Sequence, residues 1–198
     1  MIDSAGIRPQ AGDALVIVEI QRDFLPGGSL AVPGGDAVVP AMRRCMKLFE
    51  HGGLPIFATR DWHPPDHCSF RAQGGPWPPH CVAGSRGAQF AGALQMPASA
   101  NVISKATTPG KDSYSGFEDT DLDAQLRALR VRRLFVGGLA TDYCVLNTVR
   151  DALRLGYAVV LLTDACGALD VNPGDGRRAL DEMQRLGARL VESADLPE

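Results

Sequence analysis

Ala14-Leu-Val-Ile-Val18, continued by Glu19-Ile-Gln-Arg-Asp-Phe24, decides the fold. The first five residues are apolar with no polar alternation, the pattern of a strand buried on both faces. Such strands belong to parallel sheets covered by helices. The run then changes to charged and amide side chains at Glu19, Gln21 and Asp23. In a doubly wound sheet, ligands bind beyond the carboxyl ends of the strands. The stretch therefore predicts a central strand and the rim of a site together.

Five further runs repeat the signal: Leu54–Ala58, Asn101–Ser104, Leu134–Gly137, Ala158–Leu162 and Ala188–Val191. Helical stripes lie between them. Val38, Met42, Cys45, Met46 and Phe49 form one that ends at Gly52-Gly53. Leu122, Leu126 and Leu129 form a second, Val145, Val149, Ala152 and Leu153 a third, and Leu180, Met183 and Leu186 a fourth. Gly156 and Gly187 follow the last two, where a left-handed stop residue belongs. The alternation predicts an α/β fold, a doubly wound six-stranded parallel sheet with helices on both faces. Asp61 to Pro97 breaks the pattern. It is rich in Gly and Pro, has no sustained period, and holds both Trp and three of the four His. A long loop with that content in a compact domain reads as functional.

The 198 residues predict one domain, read as 1–198 with a loop insertion at about 61–97. A net charge of −3 removes the electrostatic case for nucleic acid or an anionic membrane. No apolar run reaches the roughly 18 residues that span a bilayer. Met1 to Gly12 shows no charged-then-apolar leader pattern. Five cysteines, none in a CxxC pair, fit reduced thiols in a cytoplasm.

The residues after each strand run carry the candidate chemistry. Glu19, Asp61, His63, Lys105 and Cys144 all fall on one predicted rim. Cys144 opens a helix, with Thr141 or Asp142 as its cap, a setting that lowers a thiol pKa and offers backbone N–H groups to an oxyanion. The bland alternative is an inert buried cysteine. Glu19 and Lys105 are candidates for proton transfer to and from that thiol, against the reading of solvated strand-end charges. Asp61-x-His63 sets two ligands on one side of an extended segment, and His67 and His80 follow. Such a set suits zinc, iron or manganese; surface histidines are the alternative. Phe24, Trp62 and Trp77 offer flat rings near the same rim, or simply loop packing.

Several of these stretches together resemble a known family. They are Val16-Ile-Val-Glu-Ile-Gln-Arg-Asp-Phe24 with Pro26-Gly-Gly-Ser-Leu30, Asp61-Trp-His-Pro64, Trp77-Pro-Pro-His-Cys81, Asp112-Ser-Tyr-Ser-Gly-Phe117 and Ala140-Thr-Asp-Tyr-Cys144. The chain resembles nicotinamidases, also called pyrazinamidases, among the cysteine hydrolases of isochorismatase-like fold. The resemblance implies hydrolysis of nicotinamide to nicotinate and ammonia and a role in NAD recycling, and it leaves pyrazinamide open as a further substrate. It implies Cys144 as nucleophile, Lys105 as the lysine, and Glu19 where the family has aspartate. It implies one divalent ion on Asp61, His63 and His80, with His67 as a fourth ligand. It implies an oxyanion hole from Ala140 and Cys144, a cis peptide before Ala140, and a ring pocket of Phe24, Trp77 and Tyr114. Oligomeric state stays open. Glu19 is one methylene longer than the family's aspartate, which leaves binding intact and implies slower turnover than a Glu19→Asp variant. The rival readings are a metal-free hydrolase of another small amide and a catalytically weak nicotinamide-binding protein.

Overall fold

The structure is a computed structural model that describes residues 7–197. Residues 1–6 of the stretch read for a leader, and residue 198, lie outside it. Six strands form one sheet: β1 (Asp13–Val18), β2 (Ile56–Asp61), β3 (Asn101–Lys105), β4 (Arg133–Leu139), β5 (Ala158–Gly167) and β6 (Arg189–Val191). Their order is β3-β2-β1-β4-β5-β6, and every neighbouring pair is parallel. The predicted stripes become α1 (Val38–His51), α2 (Leu122–Ala128), α3 (Leu146–Arg154) and α4 (Asp175–Arg185).

Side-chain alternation along β1 explains why it is apolar throughout. Leu15 and Ile17 share one core with Met42, Cys45 and Phe49 of α1. Ala14, Val16 and Val18 share the other with Leu122, Leu126, Val149 and Met183 from α2, α3 and α4. Full burial of each larger aliphatic chain stabilises the fold by about 1.5–3 kcal/mol.

Two strands outrun their apolar signal. β2 starts at Ile56 rather than Leu54 and continues to Asp61, because Arg60 and Asp61 still pair with Ser104 and Lys105. β5 likewise continues through Thr163 and Asp164 to Gly167. Backbone pairing, not side-chain polarity, ends these strands.

The strand order reverses direction between β1 and β4, and this switch point places the site. Val18 lies opposite Gly138. A Cβ on Gly138 would sit 1.9 Å from the Val18 carbonyl oxygen, so only glycine lets the two strand ends approach this closely. A cis peptide joins Leu139 to Ala140, as the resemblance implies. Thr141–Val145 then forms a π-type turn that leads into α3. The expected side-chain cap is absent. The Asp142 carboxylate instead accepts the N–H groups of Leu169 and Asp170, at 2.9 and 2.8 Å. Among the described residues no helix is long and apolar enough to cross a membrane.

Candidate active site

Four strand ends deliver four buried reactive groups to one point. Glu19 follows β1, Asp61 ends β2, Lys105 ends β3, and Cys144 lies in the turn after β4. The Lys105 ammonium is the hub. Its Nζ lies 2.6 Å from Asp61 Oδ1, 2.7 Å from the Ser113 carbonyl oxygen, 3.1 Å from Glu19 Oε1 and 3.7 Å from Cys144 Sγ. Glu19 takes a left-handed backbone, with φ of 49°, as the chain turns out of β1. Its side chain has no solvent exposure. The longer glutamate thus reaches Lys105, and Oε1 also meets the Thr59 hydroxyl at 3.5 Å.

One cation among three acidic groups sets the electrostatics. Burial resists ionisation of Asp61, but Lys105 and then His63 outweigh it and hold the carboxyl below its ordinary range. Burial also opposes the Lys105 charge, yet Asp61, Cys144 and Glu19 raise its pKa. Glu19 is pushed up to about 8 by burial and by the Asp61 charge, against the pull of Lys105. Burial and Glu19 likewise raise the Cys144 thiol well above its ordinary value, with Lys105 opposing. The depressed thiol pKa expected from a helix start is therefore not what the chain builds. Desolvation wins because the sulfur is almost fully buried.

Asp61, His63 and His80 bring one ligand atom each within 4.8 Å of one another. His63 Nδ1 donates to the His80 carbonyl oxygen at 3.0 Å, and His80 Nδ1 to that of Pro78 at 2.8 Å. A carbonyl can only accept, so both rings carry a proton on Nδ1 and turn Nε2 inward, the atom that bears the lone pair in this neutral tautomer. These Nε2 atoms lie 3.8 and 4.0 Å from the Asp61 carboxylate oxygens. Burial lowers the His63 pKa to about 4, which keeps the ring neutral. Two oriented imidazoles and an ionised carboxylate fit a divalent cation.

His67 lies beside His63 with partners of its own. Its Nδ1 faces the Ser69 hydroxyl at 2.8 Å and accepts the Ser69 N–H at 3.3 Å, while Nε2 faces the Lys111 carbonyl oxygen at 3.1 Å. Both nitrogens are engaged, and His67 groups with His63 and Asp112 rather than with Asp61 and His80. Its ring stacks on His63 with centroids 4.3 Å apart.

Phe24, Trp77, Tyr114, Ala140 and Cys144 all line one pocket with Asp61, His63 and His80. Trp77 Nε1 donates to the Tyr114 hydroxyl at 3.0 Å. Trp62 lies outside this lining and packs under the Arg60 guanidinium, 3.7 Å from the ring centroid. Sequence reasoning missed two groups. Tyr143 meets Trp77 edge-on at 5.2 Å, and its place beside Cys144 was the available signal. Ser113 acts through its carbonyl, which no side-chain pattern reveals.

The nicotinamidase of Escherichia coli (strain K12) is 42% identical over 206 residues, covering 93% of this chain and 97% of its own length. The crystal structure of the Pyrococcus horikoshii pyrazinamidase in complex with zinc matches at 48% identity and TM-score 0.88, covering 91% and 99%. The L. infantum protein in complex with nicotinate matches at 39% identity and TM-score 0.88, covering 96% and 97%. The isochorismatase domain model matches residues 13–195, and the chain belongs to that family.

Proposed function

We propose that this chain is an amide hydrolase that converts nicotinamide to nicotinate and ammonia. The observation that carries the reading is the Lys105 hub, which ties Glu19, Asp61 and Cys144 together beside a metal-type triplet. The names of the similar proteins supply the substrate. Asp61, His63 and His80 would hold one divalent ion (zinc, iron or manganese), which supplies an electrophilic anchor for the pyridine nitrogen. Phe24 and Trp77 flank the ring, and Tyr114 closes its edge.

With Glu19 in its ionised form, Cys144 attacks the carboxamide carbon as its proton passes to that carboxylate. The resulting oxyanion accepts hydrogen bonds from the Ala140 and Cys144 N–H groups. The C–N bond breaks as Glu19 returns the proton to departing ammonia, leaving a thioester. Glu19 then takes a proton from water as it attacks the thioester, and Cys144 leaves with that proton restored. Lys105 keeps its charge throughout and lowers the cost of negative charge on Glu19 and on sulfur. In the cell the product would enter NAD recycling in the cytoplasm. This reading needs one domain, with 61–97 as its metal-binding loop.

The test is to incubate metal-loaded protein with nicotinamide and follow nicotinate and ammonia together. Stoichiometric formation of both, lost in Cys144→Ala, is expected. Turnover of other small amides with none of nicotinamide would overturn the assignment.

A further inference from the structure

We propose that Gln21 and Asp23 are positioning residues that set the metal affinity of this site, an inference that rests on the metal-binding reading of Asp61, His63 and His80. Gln21 is fully buried. Its Nε2 donates to the Asp61 carbonyl oxygen at 2.8 Å and to the Ala88 carbonyl oxygen at 2.9 Å. Its Oε1 accepts the Asp61 N–H at 2.8 Å. One side-chain amide therefore fixes both backbone polar groups of a ligand residue and docks the far limb of the 61–97 loop against it.

Asp23 acts on the second limb. Its Oδ2 accepts the Cys81 N–H at 2.7 Å. That N–H belongs to the same peptide group as the His80 carbonyl, which accepts the His63 Nδ1 proton. The His80–Cys81 peptide is thus held from one side by a carboxylate and from the other by a ligand imidazole. Carboxylate, peptide and imidazole form a chain in which each hydrogen bond polarises the next. The chain orients His63, raises its basicity as a ligand, and fixes the turn that presents His80. Cys81 sits in a left-handed conformation, φ 46°, so this turn needs an anchor to hold it.

Gly87 confirms how closely the carboxylate is seated. The Asp23 N–H donates to the Gly87 carbonyl oxygen at 3.1 Å. A Cβ at Gly87 would lie 2.0 Å from Asp23 Oδ2. Gly87→Ala must therefore swing the carboxylate away from Cys81 while deleting no polar group.

Zinc dissociation constants would be measured by competition with a chromophoric chelator, alongside circular dichroism and melting of the chelated protein. Asp23→Ala and Gln21→Met should weaken zinc about 10- to 100-fold, the usual effect of losing an outer partner of a ligand. Asp23→Asn keeps an acceptor oxygen and should stay near the parent. Gly87→Ala should fold and still lose affinity, which keeps the proposal testable if Asp23→Ala does not fold. Excess zinc should restore turnover in the weakened variants. Folded Asp23→Ala or Gly87→Ala with parental zinc affinity would overturn the proposal, as would an Asp23→Asn as weak as Asp23→Ala. A parent that binds no zinc, iron or manganese would instead overturn the metal reading beneath it.

Discussion

Lys105 carries one positive charge among Glu19, Asp61 and Cys144, and this imbalance decides which proton sits where. Asp61 wins the ammonium, so Glu19 and the thiol are left above their ordinary pKa values. In metal-free protein Cys144 is then a thiol at neutral pH. Its alkylation by iodoacetamide should rise about tenfold per pH unit from 7 to 9, since the thiolate is the nucleophile. A plateau near pH 7 would show a depressed pKa and contradict this account. Cys45 and Cys166, both pushed up to about 12 by burial, should stay unlabelled over that range. Glu19 offers a second test. Glu19→Gln removes the proton acceptor and should lower kcat by about 10²–10⁴-fold with little change in nicotinamide affinity. Glu19→Asp withdraws the carboxylate by roughly 1.5 Å. It also suits the left-handed backbone better, because aspartate tolerates positive φ more readily. Misplacement of roughly 1 Å can cost about a hundredfold in rate, so the expected rise of kcat in Glu19→Asp requires the family's shorter acid to fit this pocket, and a fall would show that the pocket is built around glutamate. Equal losses in both variants would mean that side-chain length, not the carboxylate, governs turnover. The sequence shows the acids, the lysine and the thiol at strand ends. It does not show burial, and burial is what reverses the expected thiol pKa.

At the scale of elements, apolar runs and helical stripes reveal the six strands and four helices because both faces of the sheet are buried. What they hide is set by backbone geometry. The π-type turn at Thr141–Val145 replaces the capped helix start that Thr141 and Asp142 suggest, since Asp142 is committed to Leu169 and Asp170. The partners of the His67 ring, the Ser69 hydroxyl and the Lys111 carbonyl, are hidden in the same way. Such partners come from the folding of loops, which have no periodicity to read. The Gly137-Gly138 pair, by contrast, is visible and has a sharp consequence. A Cβ at Gly138 meets the Val18 backbone, and φ there is 138°. Gly138→Ala should therefore destabilise the protein by about 3 kcal/mol or more, adding backbone strain to overpacking. Urea titration of parent and variant checks this. A change below about 0.5 kcal/mol, the ordinary range for an inconsequential surface substitution, would contradict the close approach of β1 and β4.

At the scale of the whole molecule, the proposed metal site links β2 to a loop that has little regular structure of its own. Asp61 ends a central strand, whereas His63 and His80 lie beyond it and meet through the His63–Val82 bridge. The unfolded chain has no such arrangement, so a bound ion stabilises only the native state. At a free zinc concentration about 100 times its dissociation constant, that linkage is worth about 2.7 kcal/mol. For a protein of this size, about 1 kcal/mol moves the melting temperature by roughly 2–4 °C, so chelation should lower it by about 5–10 °C. Acid should act on the chelated protein in a defined window. The His63 pKa is about 4 in the fold, below the ordinary 6.5. Between those values the unfolded chain binds more protons at this ring, so stability rises with pH. The contribution is complete above about 6.5 and is lost as pH falls toward 4. Differential scanning calorimetry of zinc-loaded, chelated and chelated His63→Gln protein from pH 4 to 7.5 measures both effects. The chelated parent should lose stability on acidification more steeply than His63→Gln, and zinc should add its increment to the parent alone. Parallel acid profiles would show that His63 is not the group responsible, and an equal zinc increment in His63→Gln would remove this ring from the ligand set.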